Sequence, residues 1–176
     1  MTADAGPADE LRSAIDGLSP DQARTLLAWV RTLGRPRRSR TEAIEAGEPI
    51  LGALGDLLGI VREAEEPGRT RMCLTVDPTW HNPNGVLHGG VIYTMVDYSM
   101  GSAVHTALPE GQSCATIEIK VSYLAAVREG TLTVETNVVK HGRNIAFTES
   151  KVTDDRGRLV ATASGSMFIR RTEPAA

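Results

Sequence analysis

Apolar positions along the chain change their period three times. In "LSPDQARTLLAWVRTLG", Leu26, Leu27, Val30 and Leu33 recur at helical spacing. Ser19 is placed to cap this helix, Pro20 fits its first turn and Gly34 is a stop signal. An earlier helix is expected over 9–18. The linker "GRPRRSR" follows. Two such helices cannot enclose much of a core. Residues 1–45 are therefore expected to form a helical extension that packs on the rest, on a second copy or on a partner, ahead of a domain over 46–172.

"PILGALGDLLG", 49–59, predicts a short helix. The period then falls to two. Strands are expected over 70–76, 113–125, 131–140, 144–153 and 159–170. In the second of these, Ile117, Ile119, Val121 and Tyr123 alternate with Thr116, Glu118, Lys120 and Ser122, which predicts opposite faces. "HGR" at 141–143 and "DDRG" at 154–157 are hairpin turn signals, so the sheet is expected to be antiparallel. One long helix interrupts the strands, over 89–106. Val91, Ile92, Met95, Val96, Ser99, Met100, Ala103 and Val104 cover more than half of its circumference, which predicts burial. The resulting class is α+β, an antiparallel sheet of five or six strands wrapped round one helix.

The composition changes this picture little. Of 176 residues, 41% are hydrophobic and 23% charged, and the formal net charge is −3. Neither nucleic acid nor an anionic membrane is suggested by that balance. The basic "RPRRSR" run reads as a solvated linker. No apolar run approaches the roughly 18 residues of a membrane span. The start has no basic and apolar leader pattern, so a cytoplasmic location is expected. Cys73 and Cys114 have no metal or redox spacing, and the four histidines have no zinc spacing. No metal or cofactor is expected.

The chemistry concentrates in "NPNGVLHGGVIYTMVDYSMG", 82–101. Gly89 and Gly90 open the long helix, where free N–H groups and a partial positive charge meet. Glycine lets an anion, or a carbonyl oxygen becoming one, approach those donors. A tight turn with no ligand would use the same two residues. Asp97 is the one charged side chain over 89–104. It is either part of a thin solvent stripe with Thr94 and Gly101, or a nucleophile or general base. Eight residues of helix separate Gly89 from Asp97, about 12 Å. An oxyanion donor and an attacking group must each stand about 3 Å from one carbonyl. Two antiparallel helices side by side meet that condition where one does not. A two-fold dimer is expected, with Gly89 of one chain serving Asp97 of the other.

These residues resemble a known family. "N-x-x-G-x-L-H-G-G" (Asn82, Gly85, Leu87 to Gly90), with Asp97 following, is similar to the hotdog-fold acyl-CoA thioesterases of the phenylacetate-pathway type and their mammalian relatives. The resemblance runs over 50–170 through "ATIEIKVSYLAAV", "VVKHGRNIAF" and "GRLVATASGSMFI". It implies hydrolysis of an acyl-CoA substrate. Gly89 N–H would polarise the thioester carbonyl, with Gly90 beside it in substrate binding. Asp97 would be nucleophile or base. Asn82 would bind the carbonyl or place the water. His88 would shape the loop, and Thr116 would hold the acidic residue by a hydrogen bond. Arg143 would contact the CoA arm, or be an exposed turn arginine. The helical extension departs from the small members of the family. A homodimer is implied, and pairing of dimers into a homotetramer is left open. A non-catalytic acyl-CoA-binding or regulatory protein is the alternative function. Hotdog dehydration is disfavoured, because 89–104 contains no histidine.

Overall fold

The computed structural model describes residues 6–33 and 51–171. The chain divides into two compact units, Met1–Ser39 and Arg40–Ala176. The expected boundary at 45 and the basic linker lie outside the described residues. In the first unit, α1 (Pro7–Asp16) is followed by α2 (Pro20–Leu33). Ser19 N–H donates to Gln22 Oε1 at 2.9 Å and Gln22 N–H donates to Ser19 Oγ at 3.3 Å, a reciprocal capping box. Leu26 is half-buried and Leu27 exposed. The side chains of Val30 and Leu33, and Gly34, lie outside the described set.

The second unit begins with α3 (Gly52–Leu58). Gly59 ends it with φ 64°, a left-handed C-cap that a side chain would strain. Then come β1 (Val61–Glu66), β2 (Arg69–Thr75), a single turn at Pro78–Trp80 and α4 (Gly89–Thr106). The last elements are β3 (Gln112–Tyr123), β4 (Thr131–His141), β5 (Ile145–Asp154) and β6 (Leu159–Arg171). The six strands pair in the order β1-β2-β4-β5-β6-β3, antiparallel throughout. One face of the sheet packs on α4, the expected hotdog arrangement. Met95, Val96, Met100 and Val104 of the helix meet Met72, Leu74, Leu132, Val134, Val152 and Met167 of the sheet, all fully buried. No described helix is long and apolar enough to cross a membrane.

Three features were not expected. The first is β1. Its residues, "VREAEE", are exposed except Arg62. An edge strand with so little to bury has no alternation to read. Arg71 ties its outer side to β4, reaching Glu63 at 2.8 Å and Glu135 at 2.7 Å.

The second is a bulge in β3. Thr116 lies opposite Met167 and Glu118 opposite Ser166, so Ile117 is an extra residue with no counterpart on β6. Residues directly opposite in an antiparallel pair share a face. Cys114, Thr116, Ile119, Val121 and Tyr123 lie opposite Ile169, Met167, Gly165, Ala163 and Ala161, the face toward α4. The expected separation of Thr116 from Ile119, Val121 and Tyr123 is therefore corrected. One extra residue brings them onto the same face.

The third is a row of hydroxyls in the core. Thr70 Oγ1 lies 2.9 Å from Ser99 Oγ, which lies 2.6 Å from Thr136 Oγ1, which lies 2.7 Å from Ser150 Oγ. Thr70 also donates to the Ser99 carbonyl at 2.8 Å. Thr70, Thr136 and Ser150 are cross-strand neighbours on β2, β4 and β5. All four residues are buried. Each hydroxyl finds a partner, so none is stranded among apolar side chains.

Candidate active site

The loop before α4 is held by its own backbone and by one neighbouring loop. Asn82 N–H donates to Val86 O at 2.8 Å, Gly85 N–H to Asn82 O at 2.9 Å and Leu87 N–H to Val127 O at 2.8 Å. Asn82 Oδ1 accepts from Asn84 N–H at 2.9 Å, which leaves its amide NH₂ as a donor. His88 N–H donates to Trp80 O at 2.9 Å. These bonds carry the chain into the helix at a fixed angle.

His88 is the N-cap of α4. Its Nδ1 accepts the Gly90 N–H at 2.9 Å, and its carbonyl accepts from Val91 N–H at 3.0 Å. The imidazole thus does at the helix start what serine or aspartate commonly does. The N–H of Gly90, a residue expected beside Gly89 in substrate binding, has an internal acceptor. No protein group among the described residues accepts the Gly89 N–H. Gly89 is half-buried, and Gly90 and His88 are exposed, so this corner faces solvent.

Asp97 lies on the outer side of α4, half-buried. Thr116 Oγ1 donates to Asp97 Oδ1 at 2.7 Å. A hydroxyl-to-carboxylate bond of that length is charge-assisted. The bulge at Ile117 lets Thr116 face the helix on the same side of β3 as Ile119, Val121 and Tyr123. Beside this pair, Cys114 Sγ donates to Gly101 O at 3.5 Å. Burial, then the Asp97 charge, pushes its thiol upward, which keeps it protonated and a poor nucleophile.

The sequence passed over Tyr123 as a site residue. Its phenol donates to Gly89 O at 2.9 Å. A Cβ on Gly89 would stand 3.1 Å from Tyr123 Cζ. The signal was present, since Tyr123 ends the strand that carries Thr116, but its face depends on the bulge. Arg143 lies exposed in the β4–β5 turn. The structure thus makes two centres in one chain. His88, Gly89, Gly90 and Tyr123 meet at the helix start, with Asn82 in the loop that leads to it, and Asp97 pairs with Thr116 farther along α4. The helix rise keeps Gly89 and Asp97 about 12 Å apart along α4. Among the described residues, no three His, Cys, Asp or Glu side chains cluster as a metal site would require.

Comparison with known proteins bears on what these centres serve. The family model described as the thioesterase superfamily matches residues 84–161. A provisionally named esterase of Saccharolobus solfataricus is 31% identical over 116 residues, covering 66% of this chain and 77% of that one. A solved structure from Ralstonia eutropha JMP134, provisionally described as a phenylacetic acid degradation-related thioesterase, superimposes with a TM-score of 0.65 at 26% identity. It covers 74% of this chain and 99% of that one. A provisionally described thioesterase of Streptococcus pneumoniae TIGR4, solved with coenzyme A, gives a TM-score of 0.60 at 25% identity, covering 65% and 88%. The family segment takes in the end of the glycine loop, all of α4 and the strand that carries Thr116 and Tyr123. The chain belongs to the thioesterase superfamily.

Proposed function

We propose that the protein hydrolyses acyl-CoA thioesters to the free acid and CoA at a site shared by two chains. The observation that carries this reading is the pairing of a half-buried Asp97 with Thr116 on the helix whose start presents the Gly89 N–H. Gly89 of one chain donates to the thioester oxygen, where negative charge develops as the carbonyl is attacked. Asp97 of the other chain attacks the carbonyl carbon or takes a proton from a water that does. Water supplies the hydroxyl of the acid product, and the sulfur leaves with a proton as CoA thiol. The Asn82 amide orients the carbonyl or the water. His88 shapes the loop through its cap on Gly90. Arg143 meets the phosphates of the CoA arm. The coenzyme A bound to the Streptococcus pneumoniae relative supports this substrate class.

Pairing of two chains is supported by the contrast between the sheet edges. The β1 edge is lined with charge, whereas Ile117 and Tyr123 of β3, and Leu124 after it, are exposed next to the site. Edges that carry charge resist pairing, and apolar ones invite it. The outer sheet face bears exposed Ile145, Phe147 and Phe168, a surface through which two dimers can pair. A CoA ester substrate supports a cytoplasmic location.

The test is thiol release from a panel of aromatic and aliphatic acyl-CoAs, read with a thiol-reactive dye. Release by the wild type, reduced about 100-fold or more in Asp97→Asn, is expected. Tight binding of the same compounds without release would instead indicate a non-catalytic acyl-CoA-binding protein.

A further inference from the structure

The peptide group between Gly89 and Gly90 is held at both ends. Its carbonyl accepts the Tyr123 phenol at 2.9 Å, and its N–H donates to His88 Nδ1 at 2.9 Å. The preceding peptide has its carbonyl occupied by Val91 N–H at 3.0 Å. What remains to face outward is the N–H of Gly89. Its direction follows from the torsions on either side of the Gly89 Cα, and the neighbouring peptides set those torsions.

Tyr123 acts on this corner in a second way. A Cβ on Gly89 would lie 3.1 Å from Tyr123 Cζ, 3.3 Å from Cε1 and 3.3 Å from Oη, tighter than ordinary contact. The ring therefore rests against the bare Cα of Gly89. A side chain at position 89 would need the ring to give way by a few tenths of an ångström. Burial in the core does not explain the tyrosine, because it remains 52% exposed. Its face on β3 is set by the bulge at Ile117. Desolvation, then the neighbouring Tyr93, pushes the phenol above its ordinary value, so it stays a donor at neutral pH.

We propose that Tyr123 is a positioning residue for the oxyanion donor, holding the Gly89–Gly90 peptide so that the Gly89 N–H meets the thioester carbonyl. This rests on the hydrolase reading above. Tyr123 acts through the loop and does not touch the reacting atoms. It adds a strand residue to a helix-end centre otherwise built from one continuous stretch. It also gives β3 a part in both centres, with Thr116 at one and Tyr123 at the other.

The test is Tyr123→Phe, which keeps the ring on Gly89 and removes the hydroxyl. An interaction that aligns the donor for the transition state affects kcat more than KM. A fall in kcat of about 10-fold with KM within about two-fold is expected, less than the loss on removing an oxyanion donor outright. Tyr93→Phe, at the neighbouring exposed ring, should leave kcat unchanged. The second readout needs no substrate. In ¹⁵N-labelled protein, the Gly89 and Gly90 amide signals should move in Tyr123→Phe and stay in place in Tyr93→Phe. A wild-type kcat, or unmoved glycine amides, in a folded Tyr123→Phe overturns the proposal. If the wild-type protein releases no thiol from any acyl-CoA, the hydrolase reading fails. The glycine amides then still decide whether Tyr123 orients the loop.

Discussion

A shared site makes a quantitative demand on mixtures of inactive chains. Asp97→Asn disables the acidic centre of its own chain and leaves the loop intact. Asn82→Ala does the reverse. Asp97→Asn is structurally mild, because the amide oxygen of the new side chain can still accept from Thr116, which in the wild type donates at 2.7 Å to Asp97 Oδ1. The loss is the charge, with the bond weakened from charge-assisted to neutral, about 1 kcal/mol. Each homodimer should therefore fold and be inactive. In a mixed dimer, one site combines the intact loop of the first chain with the intact Asp97 of the second, and the other site carries both defects. Random pairing of equal amounts gives about half mixed dimers, each with one working site of two, or about one quarter of wild-type activity. Unfolding, mixing, refolding and thiol release with saturating acyl-CoA measure it. The structure also supplies a negative control. Thr116 and Asp97 belong to the same centre, so Asp97→Asn mixed with Thr116→Val should give no rescue. Failure of the first mixture with mixed dimers verified by mass, or rescue in the second, would refute the shared site.

Three further outcomes are expected. His88→Asn should keep most activity, because asparagine also accepts at an N-cap, whereas His88→Ala should lose about 1 kcal/mol of stability and more activity than the Asn variant; denaturant midpoints and kcat decide this. Ser99→Ala leaves Thr70 and Thr136 each short of one partner and should destabilise by about 1–3 kcal/mol, with part recovered in Ser99→Ala/Thr136→Val; equal urea midpoints for wild type and Ser99→Ala would contradict the row's role. Deleting residues 1–45 should leave a folded, dimeric, Asp97-dependent hydrolase with altered acyl preference or higher assembly, checked by chain-length profile and light scattering, and an insoluble product would place the extension in the core.

Much of this was readable in the chain because local pattern and tertiary role agreed. The α4 helix spans Gly89–Thr106 as expected, since the glycine pair marks its start and the apolar stripe is wide. The Asp97–Thr116 bond follows a resemblance and is realised by contact. What was hidden depended on partners distant in sequence. The β3 alternation runs on past Ile117 without a break, and only pairing with β6 reveals the bulge. Tyr123 was therefore placed correctly on the strand but could not be linked to Gly89, 34 residues away. Two adjacent glycines look alike on paper, yet His88 takes the N–H of one and leaves the other. β1 carries Ala, Arg and three Glu, a composition equally suited to a helix, and its strand state comes from β2. The hydroxyls of Thr70, Thr136 and Ser150 read as ordinary strand residues until the sheet brings them beneath Ser99.

That row divides the labour inside the core. Apolar contacts around α4 are broad and forgiving, and side chains such as Met72, Met95, Met100 and Met167 can be exchanged for others of similar volume at modest cost. Hydrogen bonds are directional and are not. Ser99 lies two residues from Asp97, on the opposite side of the helix. Any roll of α4 that moves the carboxylate also pulls Ser99 off Thr70 and Thr136. An engineer can thus redesign the oily part of this interior for thermal tolerance and keep the carboxylate on target, provided the hydroxyls stay, for they serve as the datum from which the helix is set.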